Sequence, residues 1–237
     1  MPPLRAVLFD WGGTLTWFHS IDMIDGWRVA AQVLAPDRVD EVAKALLAAE
    51  NEVWARTTST LRSATTAEVL RNASVATGLP VDDVLHDEAI LRYLEHWSPT
   101  TRAREDAQPM LEALRSRGLR TGLLSNTHWP EQVHEEWLER DGLLHLLDAR
   151  IYTSELEHVK PHPEAFNALL AAVDVRPAQA IFVGDRLHDD ISGAAALGMR
   201  TVWVRNDAVP KADVVPDAVI GELKELLDVV DEWSQDG

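Results

Sequence analysis

Apolar positions fall along the chain in two textures. Ala6-Val7-Leu8-Phe9 is a contiguous apolar run that meets Asp10 and then the glycine pair Gly12-Gly13. That pattern predicts a buried first strand over residues 4–10, with Asp10 at its exposed end and a tight turn beyond it. From about residue 18 to 97 the pattern turns helical. Between Asp37 and Arg56, the residues Val39, Val42, Ala43, Leu46, Leu47, Val53 and Trp54 recur at helical spacing and form one apolar stripe. Thr65 with Glu68 offers a capping box for the next helix, and Gly78-Leu79-Pro80 ends it. A further helix is expected over 81–97.

After a polar stretch at 98–106, strands and helices alternate. Helices are expected at 107–117, 130–139, 163–173, 189–197 and 222–230, and strands at 119–124, 149–153, 180–183 and 200–204. Alternation of this kind is the mark of an α/β fold, a doubly wound, Rossmann-like parallel sheet covered by helices. The sequence thus divides into an α/β core, residues 1–17 and 98–237, and an all-helical insert at 18–97.

Composition narrows the partners. The 237 residues carry 22 basic and 39 acidic side chains, a formal net charge of −17, which disfavours general affinity for nucleic acid or anionic membranes. An anionic substrate would need local groups that reverse this field. There is no cysteine, so disulfides and thiolate metal sites are excluded. The chain shows no charged-then-apolar leader and no apolar run near the roughly eighteen residues of a membrane span. A soluble, cytoplasmic protein acting on a small molecule is the expectation.

Three later stretches sit just past the carboxyl ends of expected core strands, where this architecture places functional groups. They are Ser125-Asn126-Thr127, then His158-Val159-Lys160-Pro161-His162-Pro163, then Gly184-Asp185 with Asp189 and Asp190 beyond. Taken singly, Ser-Asn reads as a turn and Lys-Pro as a solvated loop. In order, and together with Asp10 and its glycine turn, they resemble the four motifs of the haloacid dehalogenase-like hydrolase superfamily. The resemblance runs over essentially the whole chain, and the helical insert is similar to that family's cap between the first and second motifs. It implies that Asp10 is a nucleophile forming an aspartyl intermediate that water hydrolyses. It further implies Mg²⁺ held by Asp10, Asp185, Asp190 or Asp189 and the backbone carbonyl of Gly12. Lys160 would neutralise charge, and Ser125 and Asn126 would donate hydrogen bonds to the transferred group. Carboxylates gathered so closely repel one another without a cation and a lysine, so metal dependence is a physical expectation as well.

At one position the chain departs from the family. Phosphatases of the superfamily carry a second aspartate two residues after the nucleophile, as general acid and base, and here that residue is Gly12. Three readings stay open. One is a phosphatase assisted by water, a cap residue or a histidine among His19, His128, His158 and His188. The second is a carbon–halogen hydrolase, whose leaving group needs no proton, and the third is a non-catalytic binding or regulatory member. For substrate contacts, Trp17 borders the nucleophile turn, while Arg56 and Arg62 flank a polar segment at 57–63 that would join two cap helices. Trp27, Trp54 and Trp97 suit packing of the insert. His158 and His162 are four apart, but Pro161 between them disrupts a helical zinc face. The run Arg102 to Asp106 reads as a solvated hinge between insert and core.

Overall fold

The computed structural model describes residues 3–17 and 22–235, which leaves His19 outside the described residues. Six parallel strands form one sheet in the order β3-β2-β1-β4-β5-β6. In chain order these are β1 (Ala6–Phe9), β2 (Arg120–Ser125), β3 (Ala149–Tyr152), β4 (Ala180–Gly184), β5 (Arg200–Val204) and β6 (Ala218–Ile220). The first strand is the central one. It pairs Ala6 with Arg120 and Ala180, and so on to Phe9 with Leu123 and Val183, so both its edges are hydrogen-bonded and all four residues are buried. Burial on both faces explains why its sequence is apolar without alternation.

Between β1 and β2 the chain forms four mutually packed helices: α1 (Met23–Leu34), α2 (Val39–Thr60), α3 (Thr66–Thr77) and α4 (Asp83–Trp97). Five more lie among the later strands: α5 (Ala107–Ser116), α6 (Glu131–Arg140), α7 (Pro163–Ala172), the short α8 (Gly193–Ala196) and α9 (Leu226–Gln235). Val7 and Phe9 pack with Leu111, Leu138 and Leu226 on one face of the sheet, and Ala6 and Leu8 with Phe166, Leu169 and Ala194 on the other. That two-residue alternation splits the core into two layers around the sheet. No helix among the described residues is long and apolar enough to cross a membrane.

Several boundaries differ from the sequence expectation, each for a local reason. The helix expected to stop at Arg56 continues to Thr60, where Ser59 and Thr60 return their hydroxyls to the Arg56 carbonyl and Leu61 closes the helix in the left-handed region. Half of the segment 57–63 is therefore helix, not linker. At α3 the Thr65 hydroxyl accepts from the Glu68 amide as expected, but the Glu68 carboxylate pairs with Arg56 and does not complete the box. The run from Arg102 to Asp106 is solvated only at Arg102 and Glu105. Arg104 is buried, its guanidinium held by Asp106 and stacked 4.4 Å over the ring of Trp17, and Ala103 bridges Thr16. The edge strand β6 has no counterpart in the sequence expectation, and the last helix begins at Leu226 rather than 222.

The order of strands reverses at β1: β2 and β3 extend to one side, and β4 to β6 to the other. The carboxyl ends of β1, β2 and β4 therefore border a crevice, the usual place for a ligand in such sheets. Close packing holds β2 in place, since a Cβ at Gly122 would lie 3.0 Å from methyl carbons of both Leu169 and Leu8. Gly122→Ala is expected to lower stability by about 1–3 kcal/mol through overpacking, read as a lower urea midpoint at unchanged slope.

Candidate active site

Asp10 follows β1 directly, and its amide donates to the Val183 carbonyl at 2.9 Å, continuing the ladder to β4. The turn after it works through its glycines. Gly13 adopts φ +87°, and a Cβ there would fall 2.2 Å from Asp185 Oδ2, so only glycine lets the turn approach that carboxylate. Gly12 is different: its φ is −78° and a Cβ would meet nothing within 4 Å. The space that an acid would fill is open.

Lys160 joins the elements. Its buried ammonium donates to Asp10 Oδ1 at 2.6 Å, Asp190 Oδ1 at 2.7 Å and the Leu124 carbonyl at 2.9 Å. The Asn126 side chain clamps the lysine backbone, accepting from the Lys160 amide at 2.8 Å and donating to its carbonyl at 3.0 Å. The amide expected to donate to substrate is thus committed to placing Lys160. Ser125 is buried at the end of β2, lines the cavity and makes no hydrogen bond through its hydroxyl among the described residues.

The three carboxylates of Asp10, Asp185 and Asp190 present oxygens that lie within 4.8 Å of one another. Asp10 Oδ2 accepts from Thr14 at 3.2 Å, and Asp190 Oδ2 from the Arg186 amide at 2.9 Å. Asp185 Oδ2 accepts from Asn206 at 2.7 Å, while its buried Oδ1 has no partner. A buried, unpaired carboxylate oxygen is costly. One lysine facing three carboxylates also leaves an uncompensated charge of −2. Both facts fit a hard divalent cation with oxygen ligands.

The electrostatics agree. Burial, reinforced by the Asp10 charge, raises the Asp185 carboxyl to about 6. Burial raises Asp190 to about 8; Lys160 works against that rise, and the charges of Asp10 and Asp185 add to it. Burial opposes the Lys160 ammonium, yet Asp10 and Asp190 hold its pKa above the ordinary lysine value.

A cavity of about 330 Å³ opens above these groups. Its lining combines Asp10, Gly12, Lys160, Ser125, Arg186 and Asp189 with Met23, Glu50, Trp54, His128, Trp129 and His134. Three of the residues expected at the site from sequence stand away from it. Arg56 pairs with Glu68 and Arg62 with Glu157 on the exposed surface, and Trp17 is 46% exposed under Arg104. The lining includes none of them. His158 and His162 do gather with Glu164 despite Pro161, but the trio is internally engaged. His158 Nδ1 lies 2.5 Å from the Glu164 carboxylate, and His162 Nδ1 accepts from the Glu164 amide at the start of α7. Asn206, Arg186 and Glu50 were not among the sequence candidates. Asn206 lies just past β5, where the strand-end rule points, and Glu50 is a lone acid on the buried stripe of α2.

A carboxylate at the end of the central strand, a buried lysine and an acidic pocket on a doubly wound sheet point to a class of hydrolase. The family model for haloacid dehalogenase-like hydrolases matches residues 4–198, and the chain belongs to that family. It is 37% identical to a glyceraldehyde 3-phosphate phosphatase of Methanopyrus kandleri over 136 residues, 55% of this chain and 58% of that one. It is 34% identical to a phosphoserine phosphatase of Thermus thermophilus over 52% of this chain and 49% of the other. The chain thus spans about half the length of the curated relatives it matches. A 2-haloacid dehalogenase structure from Pseudomonas syringae pv. Tomato DC3000 superposes with a TM-score of 0.72 at 26% identity, covering 97% of this chain and 99% of that one.

The raised carboxyls set a pH dependence. Their folded pKa values exceed the ordinary 3.8, so the stability they confer is complete below about pH 4 and is lost as pH rises through about 6 for Asp185 and about 8 for Asp190. A divalent cation bound to the same oxygens offsets this loss. The gap in melting temperature between Mg²⁺ and chelator is therefore expected to widen as pH rises from about 5 to about 8. A gap that is constant or shrinks would count against a cation among these carboxylates.

Proposed function

We propose that this chain is a Mg²⁺-dependent phosphatase acting on a small phosphorylated metabolite through an aspartyl-phosphate on Asp10. The observation that carries the reading is the buried trio Asp10, Asp185 and Asp190, with one orphaned oxygen and a single lysine between two of them. Mg²⁺ would be held by Asp10, Asp185 and the Gly12 carbonyl, with Asp189 and Asp190 close by, and would shield the nucleophile from the anionic substrate. Lys160 aims the Asp10 carboxylate through their hydrogen bond, and Asn126 keeps Lys160 in place. The Ser125 hydroxyl, which has no partner among the described residues, and the Arg186 guanidinium, paired only loosely with Asp189 at 4.0 Å, are the donors that would hold phosphoryl oxygens.

Two further features support the reading. The curated relatives are named as phosphatases of small phosphorylated metabolites. The cavity volume of about 330 Å³ suits a phosphate with a compact leaving group. Residues 18–97 then serve as a cap that supplies the leaving-group end of the cavity, with 1–17 and 98–237 as the catalytic core. Gly12 suits a carbon–halogen hydrolase equally well, because a halide leaves without a proton. The acidic pocket favours phosphoryl transfer, since a cation there serves a phosphate and not a haloacid carbon.

A panel of phosphate esters, acyl phosphates and 2-haloacids separates the readings. Phosphate release that chelator abolishes and Asp10→Asn reduces to background is the expected result. Halide release that survives chelator would establish the dehalogenase instead, and no turnover with any substrate would point to a binding protein.

A further inference from the structure

Within the phosphatase reading, Gly12 leaves two proton transfers without an agent: one to the leaving oxygen, the other from the water that attacks the aspartyl-phosphate. We infer that His128 performs both, with Glu50 of α2 as its positioning residue.

Among the described residues, two histidines line the cavity that holds Asp10: His128 and His134. His134 is committed. Its Nε2 is 3.0 Å from the Thr127 hydroxyl, its ring stacks on Tyr152 at 4.8 Å, and burial lowers its pKa to about 3, so it stays neutral. His128 is buried at 5% exposure, yet neither ring nitrogen has a hydrogen bond. Its Nδ1 has no polar partner at all, and a buried ring nitrogen left so costs stability, a cost that makes sense where a ligand completes the set. Of the other histidines that sequence offered, His158 is paired with Glu164 and His188 is exposed outside the lining, while His19 lies outside the described residues.

Glu50 faces this ring. Its Oε1 lies 3.3 Å from His128 Nε2, and the carboxylate is fixed by Trp27 Nε1 at 2.7 Å and the Tyr93 hydroxyl at 3.4 Å. Glu50 itself is 2% exposed, so it is a carboxylate buried in the helical segment with a histidine of the core as its ionisable neighbour. The groups packed around the imidazole are Glu50 and Trp54 from α2, Trp129 beside it and His134 from α6, with Tyr93 of α4 behind Glu50. The backbone is pinned too. The His128 carbonyl accepts from both the amide and the hydroxyl of Thr66 at the start of α3, at 2.7 and 2.8 Å. The dyad is therefore assembled only while the helical segment is seated on the core.

In the first step an Asp10 oxygen bonds to phosphorus, the bond from phosphorus to the leaving oxygen breaks, and the imidazolium proton passes to that oxygen. In the second, neutral imidazole takes a proton from water as the water oxygen bonds to phosphorus. The bond to Asp10 then breaks, freeing inorganic phosphate and restoring both the carboxylate and the imidazolium. Glu50, 3.3 Å from Nε2, attracts the proton on that nitrogen and leaves Nδ1 to exchange with the substrate.

The test uses the full chain with Mg²⁺ and two esters: p-nitrophenyl phosphate, whose leaving group needs no acid, and glycerol 3-phosphate, whose alkoxide does. His128→Asn is expected to lower kcat on the alkyl ester at least about tenfold more than on the aryl ester, within the usual range of about 10²–10⁴ for lost acid–base catalysis. Glu50→Gln should move the same ratio in the same direction. Gly12→Asp, for which the structure leaves room, should restore the alkyl ester in the His128→Asn background. Equal losses on both esters, or no rescue in a folded double variant, would overturn the inference. If His128→Asn does not fold, Gly12→Asp alone decides: little gain on the alkyl ester means an acid is already present, and a gain of about 10² or more means it is not. No hydrolysis of either ester by the unsubstituted protein would remove the phosphatase reading, and this inference with it.

Discussion

The ammonium of Lys160, enclosed between Asp10 and Asp190, is the contact on which the rest of the structure turns. It ties the end of β1 to the segment after β4, and through the Leu124 carbonyl it ties both to β2. Three strand ends that diverge in the crevice are thereby drawn to one point. Removing one partner of a buried ion pair typically costs about 3–5 kcal/mol, because the other charge stays behind unpaired. Here two carboxylates would be left, so fold and chemistry share a single dependency.

That lysine neutralises only part of what surrounds it. Asp185 adds a third carboxylate, anchored by Asn206 through one oxygen and bare at the other. Gly13 permits the close approach by having no side chain, and Gly12 leaves room where a side chain would fit. The two glycines look alike in sequence and do opposite things. One is required by crowding and the other marks a vacant role, which we assign to His128 in the lining of the same cavity.

Much of this was legible in the sequence. A contiguous apolar run located β1, since a strand buried on both faces leaves no polar alternation, and the alternation of strand and helix located β2 to β5. The strand-end rule located Asp10, Ser125 and Asp185, and the family resemblance gave Lys160 and Asp190. Short-range cues served less well where long-range partners decide. Strand β6 spans three residues, with Ile220 alone fully buried, and carries no periodic signal. Arg56 and Arg62 looked available only because Glu68 and Glu157 are partners that folding supplies. Asn126 reads as a donor in any strand-end loop, and only the return of the chain at Lys160 turns it into a clamp. Glu50 did leave a trace, as an acid on a buried helical stripe. A polar residue there predicts an unusual partner without naming it.

The central claim is that Asp10 becomes phosphorylated in a pocket whose excess negative charge requires a cation. Rapid acid quench during turnover of a phosphate ester, followed by peptide mass spectrometry, tests it most directly. One phosphoryl group on Asp10 in the presence of Mg²⁺, absent with chelator, is the predicted result. Phosphate release with no adduct on Asp10, or an adduct that forms equally well in chelator, would contradict the account.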